Sequence, residues 1–169
     1  MNKKIIKYIF MLPIYLIIQI YILNEILFAS YINPYIYLII LIIMPYKIPK
    51  WFLLFYAFII GFLIDLFSGT LGIHSSACLI LVLLKSPISK ITIPHNIIEE
   101  TDELVMQKIG AKSFILFSFI LVLIHHTILF ILEHVALDFQ ILLKIIASTI
   151  ITTIIISITQ LFFFKSWIN

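Results

Sequence analysis

Residues 61–75 read Gly61-Phe62-Leu63-Ile64-Asp65-Leu66-Phe67-Ser68-Gly69-Thr70-Leu71-Gly72-Ile73-His74-Ser75 and hold three of the chain's four glycines, with a carboxylate at the end of a long apolar run. A lone acid is costly in lipid, so Asp65 has to face protein and mark a functional or structural contact. Gly61, Asp65 and Gly69 recur at i, i+4 and i+8, which puts them on one helix stripe where small residues let a second helix approach closely. Packing within the chain and packing against a partner's helix both fit that spacing. Ser68 to Gly72 is too short for anything but a tight helical hairpin, with Gly69 or Gly72 supplying a positive φ. Ser68 or Thr70 then caps the following helix, and His74 falls in its first turn.

The surroundings make this a membrane problem. Hydrophobic residues form 63% of the chain, charged residues 11%, and the mean hydropathy is +1.23. Soluble proteins carry about a quarter charged residues. One membrane domain spanning residues 1–169 follows, since each crossing consumes about 20 apolar residues. The net charge of +3, all of its cations lysine, is thinly spread, which argues against nucleic-acid binding. A single cysteine, Cys78, excludes an intramolecular disulfide and a cysteine-based metal site. Lys3, Lys4 and Lys7 before an apolar run imitate a signal peptide, but no small-residue cleavage site follows, so the run reads as an uncleaved first helix.

Isoleucine runs erase periodicity, and segment length decides in favour of helix. The reading is an all-α integral membrane protein with six segments, at about 5–23, 32–46, 51–67, 72–91, 112–133 and 140–164. The second, with Pro34 near its start and Pro45 at its end, and the fourth, with a short apolar core before Lys85, are expected to be tilted, broken or thinly spanning. Pro87 is placed to kink the end of the fourth.

Alternating loops put Lys3, Lys4, Lys7, Lys47, Lys50, Lys85, Lys90, Lys108, Lys112 and Lys165 on one side and Lys144 alone on the other, where it snorkels outward. The positive-inside rule then makes both termini cytoplasmic. Residues 92–111 form a cytoplasmic loop. Asn96 with Glu99 suits a capping box and Gly110 a helix stop, so a short amphipathic helix at the membrane surface and a solvated acidic loop are both compatible with it.

Counting at 1.5 Å per residue puts Asp65 roughly 22 Å above Lys50, His125 roughly 20 Å above Lys112 and Gln19 roughly 18 Å above Lys7. Thr152 and Thr153 lie at a similar depth above Lys165. Together with His126 and Glu133 they define a polar layer in the outer half of the bundle, with Asp65 paired to His125 or His126 as its simplest arrangement. No nucleophile elbow, P-loop or HExxH motif occurs. Adjacent histidines point about 100° apart on a helix, which disfavours one shared metal ion. No catalytic, cofactor or metal site is therefore assigned.

Several of these features together resemble the MreD family of rod-shape-determining membrane proteins, closest to the form in Bacteroidetes-type bacteria. They are Ile32-Asn33-Pro34-Tyr35, the Pro45 to Trp51 turn, the Gly61-x-x-x-Asp65-Leu66-x-Ser68-x-x-x-Gly72-x-His74 stretch, and His125-His126 with Glu133. The likeness runs nearly end to end.

It implies a multi-pass bacterial inner-membrane protein of five or six helices without enzymatic activity. The implied partner is MreC, a single-span protein, with indirect links to the MreB cytoskeleton and to the peptidoglycan polymerase and transpeptidase. Gly61, Asp65, Ser68, Gly69, Gly72 and His74 become candidate helix-packing or partner-contact residues. The family's likeness to substrate-binding subunits of vitamin transporters leaves a second class open, a small-molecule-binding or transport subunit. Lys85 and Lys90 stand where relatives are expected to carry arginine, which keeps charge but loses bidentate geometry.

Overall fold

The computed structural model describes residues 3–24, 32–45, 47–100, 103–134 and 138–163. Among them are eight α-helices and no β-strand: α1 (Lys3–Ile18), continued by a π-turn at Gln19–Leu23, then α2 (Leu38–Ile43), α3 (Lys50–Ser68), α4 (Ile73–Thr92), α5 (His95–Glu100), α6 (Met106–Ile109), α7 (Ala111–His134) and α8 (Phe139–Phe163).

Among the described residues five helical stretches are long and apolar enough to cross a membrane: Ile6–Leu23, α3, α4, α7 and Phe139–Phe162 of α8. They match five of the expected segments closely, because an apolar run of that length can satisfy its backbone in lipid only as a helix. α3 packs along α4, α4 along α7 and α7 along α8. Residues such as Phe58, Phe62, Leu83, Ile146 and Ile154 face outward, as a lipid-facing surface requires.

The second segment is broken, one of the outcomes its two prolines predict, and is not among the five long helices. Only Leu38–Ile43 are helical, about 9 Å at 1.5 Å per residue against a hydrocarbon core of about 30 Å. Irregular and turn backbone over residues 32–37 precedes it. Every side chain from Tyr37 to Met44 is fully buried, so the segment is a central pin with no lipid-facing side, touched by α1, α4 and α7.

Irregular backbone at such depth needs protein partners for its polar groups. Gln19 supplies two near the hairpin end, its Oε1 accepting from the Ile36 amide at 2.9 Å and its Nε2 donating to the Pro34 carbonyl at 3.1 Å. The Tyr35 amide donates to Thr152 Oγ1 at 3.2 Å and the Asn33 amide to Ser148 Oγ at 3.3 Å. At the other end Lys85 Nζ donates to the carbonyls of Leu41 and Met44, each at 2.7 Å, placing a cation on the orphan carbonyls of a helix C-terminus.

Lys85 therefore does not belong with the surface lysines. α4 continues through Pro87 to Thr92, and Lys85 points into the protein at 2% exposure. Lys144 likewise turns back, its Nζ lying 4.5 Å from the centre of the Phe130 ring instead of extending outward.

The expected amphipathic helix over 96–110 is two short helices, the first starting at His95 behind Pro94. Gly110 does end the second with φ at +83°. Leu104, Val105, Met106 and Ile109 are buried, so this stretch closes the end of the bundle, where the Leu104 amide donates to the Ile43 carbonyl at 3.3 Å. The side chains of Ile98, Glu99 and Glu100, together with residues 101, 102 and 165, lie outside the described residues.

Glu103 is held at this end by Tyr8 Oη, which donates to it at 2.8 Å, by Lys7 Nζ at 3.1 Å and by Lys108 Nζ at 3.9 Å. Partial burial pushes its pKa up. The Tyr8 hydrogen bond and the two lysines outweigh that and leave the carboxyl below the usual range.

Candidate functional site: a polar layer beneath the hairpin

The hairpin is built as the glycines demand. α3 ends at Ser68 and Gly69 takes the left-handed conformation at φ +69°, while Gly72 at φ +80° leads into α4. The helix therefore does not continue through Gly69, and the Gly61–Asp65–Gly69 stripe stops one turn short. A side chain on Gly69 would meet nothing within 4 Å, whereas one on Gly61 would sit 2.4 Å from the Ser75 Cα. Gly61 is the close-approach residue, and what approaches it is the chain's own α4.

Asp65, one turn beyond Gly61, reaches across the hairpin. Its Oδ1 accepts from the His74 amide at 2.9 Å and Thr70 Oγ1 at 2.7 Å, and its Oδ2 accepts from the Ser75 amide at 3.0 Å and Ser75 Oγ at 2.7 Å. The amides belong to the first turn of α4 and have no partner within their helix, so a carboxylate from α3 caps α4 and meets the positive end of its dipole. Neither Ser68 nor Thr70 is the cap: Thr70 donates to Asp65, and Ser68 is exposed and accepts from Asn24 Nδ2 at 3.4 Å.

With Asp65 engaged by these four donors, its expected pairing with His125 or His126 is replaced by another link. Tyr37 Oη lies 2.9 Å from His74 Nδ1 and 3.1 Å from His125 Nε2. One hydroxyl hydrogen serves one imidazole, so the other must donate to the oxygen. His125 Nδ1 is buried without a partner. A protonated Nε2 on His125 is then preferred, because it leaves Nδ1 as an orphan acceptor, which costs less than an orphan N–H.

His126 belongs to a second branch, in which its Nδ1–H donates to the Val122 carbonyl at 2.9 Å and Nε2 faces Thr152 Oγ1 at 3.4 Å. Thr152 also receives the Tyr35 amide. The Tyr35 ring lies 5.1–5.8 Å from the imidazoles of His74, His125 and His126.

Gln19, His74, His125, His126 and Thr152 are thus all anchored around the segment 33–37, and Asp65 joins them only through the His74 backbone. Two expected members fall outside. Thr153 is buried with Oγ1 unpartnered, one position off the Thr152 face. Glu133 lies two turns beyond His125, roughly 12 Å along the helix. Its side chain is 39% exposed and stands 3.7 Å from His134 Nδ1.

Sequence reasoning missed Tyr37 and Lys85. Tyr37 carries no positional signal inside an apolar run. Lys85 does: Ser75, Cys78, Leu81, Lys85 and Ser89 share one helical face and are all buried.

Above the layer is a cleft of about 400 Å³, in which Asn24, Asn33, Tyr35, Thr70, His74 and Glu133 converge. Among the described residues no group of three or more His, Cys, Asp or Glu side chains is placed to hold a metal ion. Several of the layer's polar atoms are spent on the start of α4 and on the backbone of the pin, while Tyr37, His74 and His125 bond side chain to side chain. No family model, curated protein or solved structure matches this chain.

Proposed function

We propose that this chain is a non-enzymatic scaffold of the bacterial cell-elongation machinery. In this reading it sits in the inner membrane with six passages, counting the pin, and both termini cytoplasmic. It holds an MreC-like single-span partner, and through that partner bears on an MreB-like cytoskeleton and on peptidoglycan polymerase and transpeptidase. The resemblance of the Gly61–His74 stretch to the MreD family carries the proposal. Its physical support is that this stretch makes a rigid junction, in which Gly61 and Asp65 lock α3 to α4 and leave Phe55, Phe58, Phe62 and Leu66 on the outer face of α3.

Because Gly61 and Asp65 are consumed internally, the partner's helix belongs on that phenylalanine face. Photocrosslinking from Phe58 and Phe62 should capture a single-span partner, with little capture from inward positions such as Ile64. Capture of no such helix from any outward position would remove the scaffold reading.

The cleft favours a second reading, a small-molecule-binding or transport subunit, since converging polar groups over an apolar bundle are what a carrier site needs. A small ligand co-purifying with the chain and lost in Asn33→Ala would select it.

A further inference from the structure

We propose that the groove between the start of α3 and the middle of α4 binds the headgroup of an anionic glycerophospholipid. The groove is a cavity of about 140 Å³ with Leu53, Leu54, Val82 and Leu83 among its apolar walls, and with Lys50 and Lys85 as its two cations. Lys85 is 2% exposed, and its Nζ is occupied by two neutral carbonyls. An ammonium has three hydrogens and a full charge, so two carbonyls leave one donor and much of the charge unanswered. No carboxylate among the described residues pairs with it.

Lys50 adds a second charge at the first position of α3, in a turn without acidic residues or a side-chain cap. The Phe52 and Leu53 amides already turn to the Pro49 carbonyl, so the positive field comes mainly from the two lysines.

The surroundings select an amphiphile over a free anion. Next to Lys50, Trp51 is 70% exposed, the pairing of lysine and aromatic that marks headgroup depth in a bilayer. Leu83, 60% exposed, carries the apolar wall outward to where an acyl chain would lie. A phosphodiester with chains attached satisfies both ends of the groove, and basic pockets between membrane helices suit such headgroups.

The test is native mass spectrometry of the full chain released from nanodiscs of mixed phosphatidylglycerol and phosphatidylethanolamine, with thermal unfolding in detergent titrated by each lipid or by inorganic phosphate. One retained phosphatidylglycerol is expected, with retention reduced about fivefold in Lys50→Gln, the worth of one lysine near an anionic surface. Lys50 is exposed, so its replacement leaves the fold intact. Equal retention of phosphatidylethanolamine, retention unchanged by Lys50→Gln, or equal protection by inorganic phosphate would each overturn the assignment.

Discussion

Ser75 gives Asp65 two hydrogen bonds on one carboxylate oxygen, its amide at 3.0 Å and its hydroxyl at 2.7 Å, so one side chain of α3 fixes both the start of α4 and its distance from α3. The carboxylate is 4% exposed beneath the hairpin turn, where every lost acceptor strands a donor.

Asp65→Asn turns one acceptor into a donor that faces Thr70 or Ser75. The variant should lose about 3 kcal/mol, the cost of stranding donors from a charge-assisted site. Ser75→Ala should lose about 1–2 kcal/mol, and the double variant less than the sum of the two. Denaturant unfolding in micelles measures all three, and strict additivity would dissolve the pair.

Two glycine substitutions should separate close approach from conformation. Gly61→Ala pushes a methyl against Ser75 backbone that cannot move aside, so it should cost about 3 kcal/mol or more and spread α3 from α4. Gly69→Ala has room and carries only the left-handed penalty, about 1–2 kcal/mol. Gly69→Asn should recover part of it. A reversed ranking would mean that the turn, and not the interface, limits stability.

Tyr37→Phe keeps the ring and removes the bridge, leaving nitrogens of His74 and His125 without their partner. A loss of about 1–3 kcal/mol is expected. A cycle of Tyr37→Phe with His125→Leu should show coupling, whereas Asp65→Asn with His125→Leu should be close to additive. The opposite pattern would restore a direct link between the acid and the histidine.

Glu103 predicts a pH dependence whose sign is fixed by its lowered pKa. Its contribution is fully present above the ordinary glutamate value of 4.5 and is lost as pH falls through the lower folded value. The stability difference between wild type and Glu103→Gln should therefore be constant near neutrality and shrink below about pH 4.5. A gap that widens on acidification would contradict the Tyr8 and Lys7 contacts.

The five long helices were legible because lipid leaves a long apolar run one solution. The tight hairpin was legible because Gly69 and Gly72 offer positive φ within five residues. The stripe through Gly61, Asp65 and Gly69 was not, since spacing alone does not say where a helix stops. Pro34 and Pro45 marked the second segment as irregular but not as enclosed: an isoleucine run looks the same on every face, so nothing in residues 38–43 distinguishes a lipid-facing segment from one surrounded by protein. The depth count brought Gln19, Asp65, His125, His126 and Thr152 to one level. It fixed height and not azimuth, which is why it paired Asp65 with histidine and overlooked Tyr37.

The pin also sets an order of events during biosynthesis. Its backbone is completed by residues made long after it: Lys85 caps Leu41 and Met44, Ser148 receives the Asn33 amide and Thr152 the Tyr35 amide. Until α8 emerges, the Asn33 and Tyr35 amides lack the acceptors they have in the finished fold, so the pin is completed only when the last helix packs. The first part of the chain is thus held open for the last, and a polypeptide stopped after α7 should leave the Asn33 and Tyr35 amides without these acceptors.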